Sequence, residues 1–149
     1  MRKNIFVSVK AILFFSAGVL ASFAFAGNFP QEGFILDHEK DVAVNQPGPH
    51  AGGGSTIAYN FFDSAKDCNL IFRKRVLHPG AAIGYHLQTE NEIYYIISGA
   101  GEMKMNGKIF QVNAGDAILT LPGSSHSLTQ AGAVDLVMII NYEKKSGNK

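Results

Sequence analysis

No tryptophan occurs in the 149 residues, cysteine occurs once, and proline only five times. A single cysteine excludes an intrachain disulfide framework and every zinc-finger spacing. Charged residues are sparse at 17% while hydrophobic ones reach 46%, a balance too apolar for a disordered chain. Thirteen basic residues against twelve acidic ones leave no electrostatic footprint for nucleic acid. The longest apolar run, Ala11 to Ala26, has sixteen residues, short of the roughly 20 that a membrane-spanning helix needs. Beyond residue 26 no stretch sustains a helical apolar period.

That apolar run has informative flanks. Arg2, Lys3 and Lys10 precede it without an acidic residue, and it ends in Ala24-Phe25-Ala26, a small-x-small pattern. This is the layout of a secretory signal peptide, with a membrane anchor as the other reading. The expectation is that residues 1–26 are removed, that the chain continues from Gly27, and that the protein is exported to the periplasm or secreted, with no membrane attachment after cleavage. The remaining 10 basic and 12 acidic residues carry a formal charge of −2. Cys68 then sits in an oxidising compartment without an intrachain partner. It reads as a buried small hydrophobe, with an intermolecular or reactive thiol as the alternative.

Residues 27–55 read as an extended arm, because Asn45-Gln46-Pro47-Gly48-Pro49 and Gly52-Gly53-Gly54 are turn signals. From Thr56 the pattern turns to short runs of Ile, Val, Phe and Tyr: 56–62, 70–77, 83–87, 92–98, 102–105, 108–112, 117–121, 127–130 and 136–142. Pro79-Gly80, Asn106-Gly107, Gly115-Asp116 and Pro122-Gly123 are among the turns between them. Asn106-Gly107 is the sharpest local signal, since that dipeptide suits the type I′ hairpin. Short strands at this spacing, without internal repeat, predict one all-β sandwich or small barrel over residues 56–142. The tail 143–149 is polar.

Alternation along the strands brings particular side chains together. His86 and Gln88 lie two apart, and Glu92 opens the next run after the polar turn Thr89-Glu90-Asn91. Glu92, Tyr94 and Ile96 share one face, as do His126, Leu128 and Gln130. Two imidazoles, a carboxylate and an amide oxygen can therefore converge from three strands. His86, Gln88, Glu92 and His126 are the candidate ligands of a divalent transition metal such as Fe, Mn, Zn, Ni or Cu. Gln88 offers a neutral, weaker oxygen, or stands behind the ligands. Without it, two histidines and one carboxylate form the triad used by non-haem Fe(II) oxygen chemistry, and zinc accepts the same set.

The stretches Gly80–Gly99 and Gly115–Gln130, separated by fifteen residues, resemble the two motifs of the cupin superfamily in its small single-barrel form. The resemblance implies a double-stranded β-helix, that is, a jelly-roll barrel. It implies two histidines and a glutamate from the first motif and one histidine from the second, which fall on His86, Gln88, Glu92 and His126. Gln88 stands where the second histidine is usual, Leu121 where a proline is, and Gln130 where an asparagine is. A homodimer joined through the sheets is implied by the resemblance alone.

Other candidates carry two readings each. Tyr94 shares the face of Glu92, as a catalytic acid or base or as core packing. Arg73 and Arg75 share one face of their strand, as a solvated face or as an anion anchor. His38 and His50 lie in the arm without partner spacing, and His78 reads as a turn residue. Ser124-Ser125-His126 lacks a nucleophile elbow. Three classes remain: a metal-dependent enzyme on a small organic substrate (dioxygenase, or Lewis-acid lyase, isomerase or cyclase), a non-catalytic metal or small-ligand binding protein, and a structural barrel with a decayed site.

Overall fold

The computed structural model describes residues 33–66 and 68–144. The leader-like segment 1–26 and its cleavage point lie outside the described residues, as do positions 145–149 of the polar tail. The chain divides after Gly33, and every element below belongs to the unit that begins at Phe34.

Ten strands follow one short helix: α1 (Glu39–Val42), β1 (Ala43–Pro47), β2 (Ser55–Phe61), β3 (Leu70–Leu77), β4 (Ala82–Leu87), β5 (Glu92–Ser98), β6 (Ala100–Met105), β7 (Lys108–Asn113), β8 (Ala117–Thr120), β9 (Ser125–Ala131) and β10 (Leu136–Glu143). A six-stranded sheet runs β1-β2-β3-β10-β5-β8 and a four-stranded sheet runs β4-β9-β6-β7, with antiparallel pairing throughout. This is the two-sheet barrel expected from the strand spacing, in the jelly-roll form that the family resemblance implies. The arm contributes more than an extended segment: it forms α1 and then β1, which pairs along β2. Hydrophobic alternation does not reveal that strand, because four of its five residues are exposed.

Alternation sorts each strand into two faces. On β5, Glu92, Tyr94 and Ile96 are buried while Ile93, Tyr95 and Ile97 are exposed. On β9, His126, Leu128 and Gln130 point inward. Leu77, Ile96, Met103, Leu128, Leu136 and Met138 fill the space between the sheets at 0% exposure, each worth about 1.5–3 kcal/mol of apolar burial. Asn106 and Gly107 have φ of 48° and 83°, both left-handed as the type I′ turn requires. Asn106 also exchanges hydrogen bonds with Ser125: its N–H donates to the Ser125 carbonyl at 2.9 Å and its Oδ1 accepts from Ser125 N at 2.8 Å. The hairpin therefore fixes the residue next to His126. Cys68 is exposed, against the expectation of burial: it falls between β2 and β3, outside the alternation that carries side chains inward.

Candidate metal centre

The two sheets meet at one end over His86, Glu92 and His126. His86 near the end of β4 and His126 near the start of β9 are cross-strand partners, with ring centroids 4.4 Å apart. Glu92 comes from the other sheet, where it opens β5 and its backbone carbonyl accepts from Thr120 Oγ1 at 3.1 Å. One donor atom from each of the three lies within 4.8 Å of the others. His126 is 0% exposed and Glu92 7%.

Hydrogen bonding prepares these groups as donors. His86 Nδ1 lies 2.8 Å from the Gly84 carbonyl. A carbonyl only accepts, so Nδ1 carries the proton and Nε2 keeps its lone pair. Glu92 Oε2 stands 3.5 Å from His126 Nε2, yet Glu92 Oε2 and His126 Nδ1 are both buried without a hydrogen-bond partner. Orphaned buried polar atoms are costly, and a carboxylate with two imidazoles is a donor set that fits a divalent transition ion. Burial first, then the nearby His86 and His50, lowers the pKa of His126 to about 4. It is therefore neutral at physiological pH, as a ligand must be. Burial raises the Glu92 carboxyl above its usual range, against the Tyr94 hydrogen bond and the charges of His86 and Arg73.

Tyr94 closes the floor. It is 2% exposed, and its hydroxyl lies 3.0 Å from His126 Nε2. Burial and the Glu92 carboxylate push the phenol well above its ordinary range, so it keeps its proton. Gln88 is 6% exposed. Its backbone is clamped by Gln88 N donating to the Ser124 carbonyl at 2.8 Å and Gly123 N donating to the Gln88 carbonyl at 2.9 Å. All but His126 of the four candidate ligands line a cavity of about 220 Å³ that Tyr94 also borders.

Two sequence readings change. Arg73 and Arg75 do not form a solvated face. They point inward with Ile71 and Leu77 and line the same cavity, while Lys74 between them faces out and pairs with Glu39 at 2.7 Å. Charge alone misleads here, because β3 carries three consecutive basic residues and only register tells inside from outside. His50, which has no partner spacing in the sequence, stacks on His86 with centroids 3.7 Å apart and planes 4° apart. The strap 48–54 carries it there: Gly84 N donates to the Pro49 carbonyl at 2.9 Å and Ala82 N to the Gly53 carbonyl at 3.2 Å. A Cβ on Gly84 would collide with the His50 carbonyl, and one on Gly52 with the Ala82 carbonyl. The Gly-rich arm was the available signal, since such glycines permit close backbone approach. His78 is held by Asp135 at 2.9 Å. Gln130 staples loops, with its Oε1 accepting from Gly80 N at 3.1 Å and its amide donating to the Val134 carbonyl at 2.7 Å.

Residues 74–141 match the family model described as Cupin domain. An oxalate-binding protein of Thermotoga maritima is 42% identical over 67 residues, 44% of this chain and 55% of the relative. A 5-nitrosalicylic acid 1,2-dioxygenase of Bradyrhizobium is 27% identical over 70 residues, 46% of this chain and 33% of the relative. The chain thus spans about half or less of these curated relatives. A Thermotoga maritima crystal structure, described as a predicted oxalate decarboxylase, superposes with a TM-score of 0.67 at 27% identity, covering 74% of this chain and 99% of that one. The barrel built around His86, Glu92 and His126 is a small cupin domain.

Proposed function

We propose that the protein binds a divalent transition metal through His86, Glu92 and His126, with Gln88 beside them, and uses it on a small organic molecule. The observation that carries this reading is the cluster itself: one ligand atom from each of His86, Glu92 and His126 lies within 4.8 Å of the others, and Glu92 Oε2 within it is buried without a hydrogen-bond partner. When bound, such an ion supplies Lewis acidity, or in the case of iron a route to dioxygen chemistry. Three protein donors leave coordination positions for the organic molecule, which the cavity admits. His86 is held in one tautomer by Gly84. The Tyr94 hydroxyl, 3.0 Å from His126 Nε2, positions that imidazole within the cluster. The core around Ile83 and Ile140 excludes water from one wall.

Elemental analysis of the protein purified from its own compartment tests the reading. A stoichiometric transition metal that His86→Ala and His126→Ala both lose supports it, and full metal retention by either variant sinks it. A second reading, non-catalytic binding of metal or ligand, is favoured by the name of the 42% identical relative. Turnover of any small acid or phenol by the loaded protein separates the two.

Export and pairing belong to the same proposal. The leader-like start supports export to the periplasm or exterior, and an exported form beginning at Gly27 is its test. Exposed Ile93, Tyr95, Ile97 and Leu119 on the outer face of the six-stranded sheet support a homodimer, which sedimentation decides.

A further inference from the structure

The strap 48–54 is the outer neighbour of β4, the edge strand of the four-stranded sheet. Two backbone hydrogen bonds seat it there, from Gly84 N to the Pro49 carbonyl at 2.9 Å and from Ala82 N to the Gly53 carbonyl at 3.2 Å. Two more lie inside it: Gly48 N donates to the Gly54 carbonyl at 3.3 Å and Gly52 N to the Pro49 carbonyl at 3.0 Å. Below that base, Pro47 pairs with Ser55 at the end of the β1–β2 ladder. The strap is therefore a closed loop on an anchored stem. Its seat is backbone against backbone, since a Cβ on Gly52 would meet the Ala82 carbonyl and one on Gly84 the His50 carbonyl. His50, Ala51, Gly53 and Gly54 are exposed and Pro49 is half-buried, so little apolar area holds the strap down. Pro49 and His50 nevertheless border the metal cavity, and the His50 ring covers that of His86.

The turn Pro49–Gly52 carries the strain. Its two central residues, His50 and Ala51, have left-handed φ of 53° and 57°, as in the primed turns that Asn and Gly favour. The cost of two such residues is of the same order as the net worth of two edge hydrogen bonds and one ring stack. Seating and lifting are then close to balance. We propose that the strap is a hinged flap over one side of the cavity. It turns about the Pro47–Ser55 stem with the Gly48–Gly54 bond kept, and off β4 the strained turn relaxes to its ordinary hand. Lifting takes Pro49 and His50 out of the cavity wall and frees the His86 ring, while seating restores both. The flap thereby gates the passage of the ion and of whatever molecule joins it. The gating rests on the metal reading, whereas the motion of the flap does not.

The test is amide hydrogen exchange on metal-free wild-type, Ala51→Gly and Gly52→Ala protein, followed by stopped-flow Mn²⁺ uptake and release. Glycine at position 51 relieves a left-handed residue and favours the seat, whereas alanine at 52 collides with the Ala82 carbonyl and favours lifting. In the wild type the Ala82 and Gly84 amides should exchange at one shared rate, about a hundredfold or more faster than those of β9, which lies between two strands. Ala51→Gly should slow both roughly three- to tenfold and Gly52→Ala speed both at least tenfold, with β9 unchanged. Mn²⁺ uptake and release should both slow in the first variant and both quicken in the second, with affinity moving less than either rate. Should Gly52→Ala disturb β9 as well, Ala51→Gly at its exposed position carries the test. Ala82 and Gly84 amides as slow as those of β9, or responding separately to the substitutions, overturn the flap. Mn²⁺ rates that ignore substitutions to which the amides respond overturn the gating. If the wild type takes up no Mn²⁺, the metal reading falls, and the shared response of the two amides still supports the flap.

Discussion

The His50 ring lies flat on the His86 ring, 3.7 Å away, and it reaches that place through a strained backbone. His50 and Ala51 both have left-handed φ, 53° and 57°, a conformation that costs non-glycine residues energy and persists only where neighbours impose it. The strap's hydrogen bonds to Ala82 and Gly84 impose it here. The arm thus reaches the candidate metal centre from outside the barrel, and it fixes the plane of the His86 ring beside Glu92 and His126.

Removing the stack should therefore loosen the metal without removing a ligand. His50→Ala is expected to weaken Zn²⁺ or Mn²⁺ binding three- to tenfold, the equivalent of one aromatic contact. His50→Phe keeps a flat ring and should stay within twofold of the wild type. Competition titration against a chromophoric chelator measures both. If the Phe variant falls as far as the Ala variant, a His50 nitrogen rather than its ring face is what matters.

Glu92 sets function against stability. Burial raises its carboxyl pKa, so as pH rises above the ordinary carboxyl value this group costs the metal-free fold stability. Glu92→Gln should raise the stability of metal-free protein at pH 7 by about 1–3 kcal/mol and abolish tight metal binding. The gain should vanish as pH falls below the ordinary carboxyl value of 4.5, where the native carboxyl is protonated in both states. Denaturant melts of both proteins at pH 7 and pH 3.5 check the sign.

The barrel and the three converging donors were legible because they depend on alternation, which is written along each strand. Glu92/Tyr94/Ile96 and His126/Leu128/Gln130 fall on buried faces as a period of two dictates. The arm resisted for a physical reason: its placement depends on backbone contacts of Pro49, Gly52 and Gly53 with β4, and glycine has no side chain to announce a partner. The arginines resisted for another. Inward register on β3 comes from pairing with β2 and β10, and nothing local distinguishes Arg73 from Lys74.

His126 gives the metal-free protein a pH-dependent stability of known sign. Its folded pKa of about 4 lies below the ordinary 6.5, so between those values the unfolded chain binds a proton that the native site refuses. Stability is complete above 6.5 and falls as pH drops toward 4, by on the order of 3 kcal/mol at most. Glu92 contributes the opposite slope, so the measurement belongs in the Glu92→Gln background. Adding His126→Gln there should flatten the profile between pH 4 and 6.5, and an unchanged slope would assign it to other groups.

Gln88 tests how the proposed centre holds its ion. Its backbone is clamped between Ser124 and Gly123 and its side chain is buried at the cavity wall, so a replacement at this position keeps its starting point and direction. A carboxamide oxygen is a weaker donor to a transition ion than an imidazole nitrogen. Gln88→His should therefore tighten Zn²⁺ or Mn²⁺ binding at least tenfold, and should also hold more firmly a coordination position that the weaker carboxamide yields to an exchangeable ligand. Metal affinity by competition titration and water exchange on bound Mn²⁺ by proton relaxation read the two effects separately. Tighter metal with slower or fewer exchanging waters places residue 88 among the ligands. An affinity unchanged within twofold places it behind them.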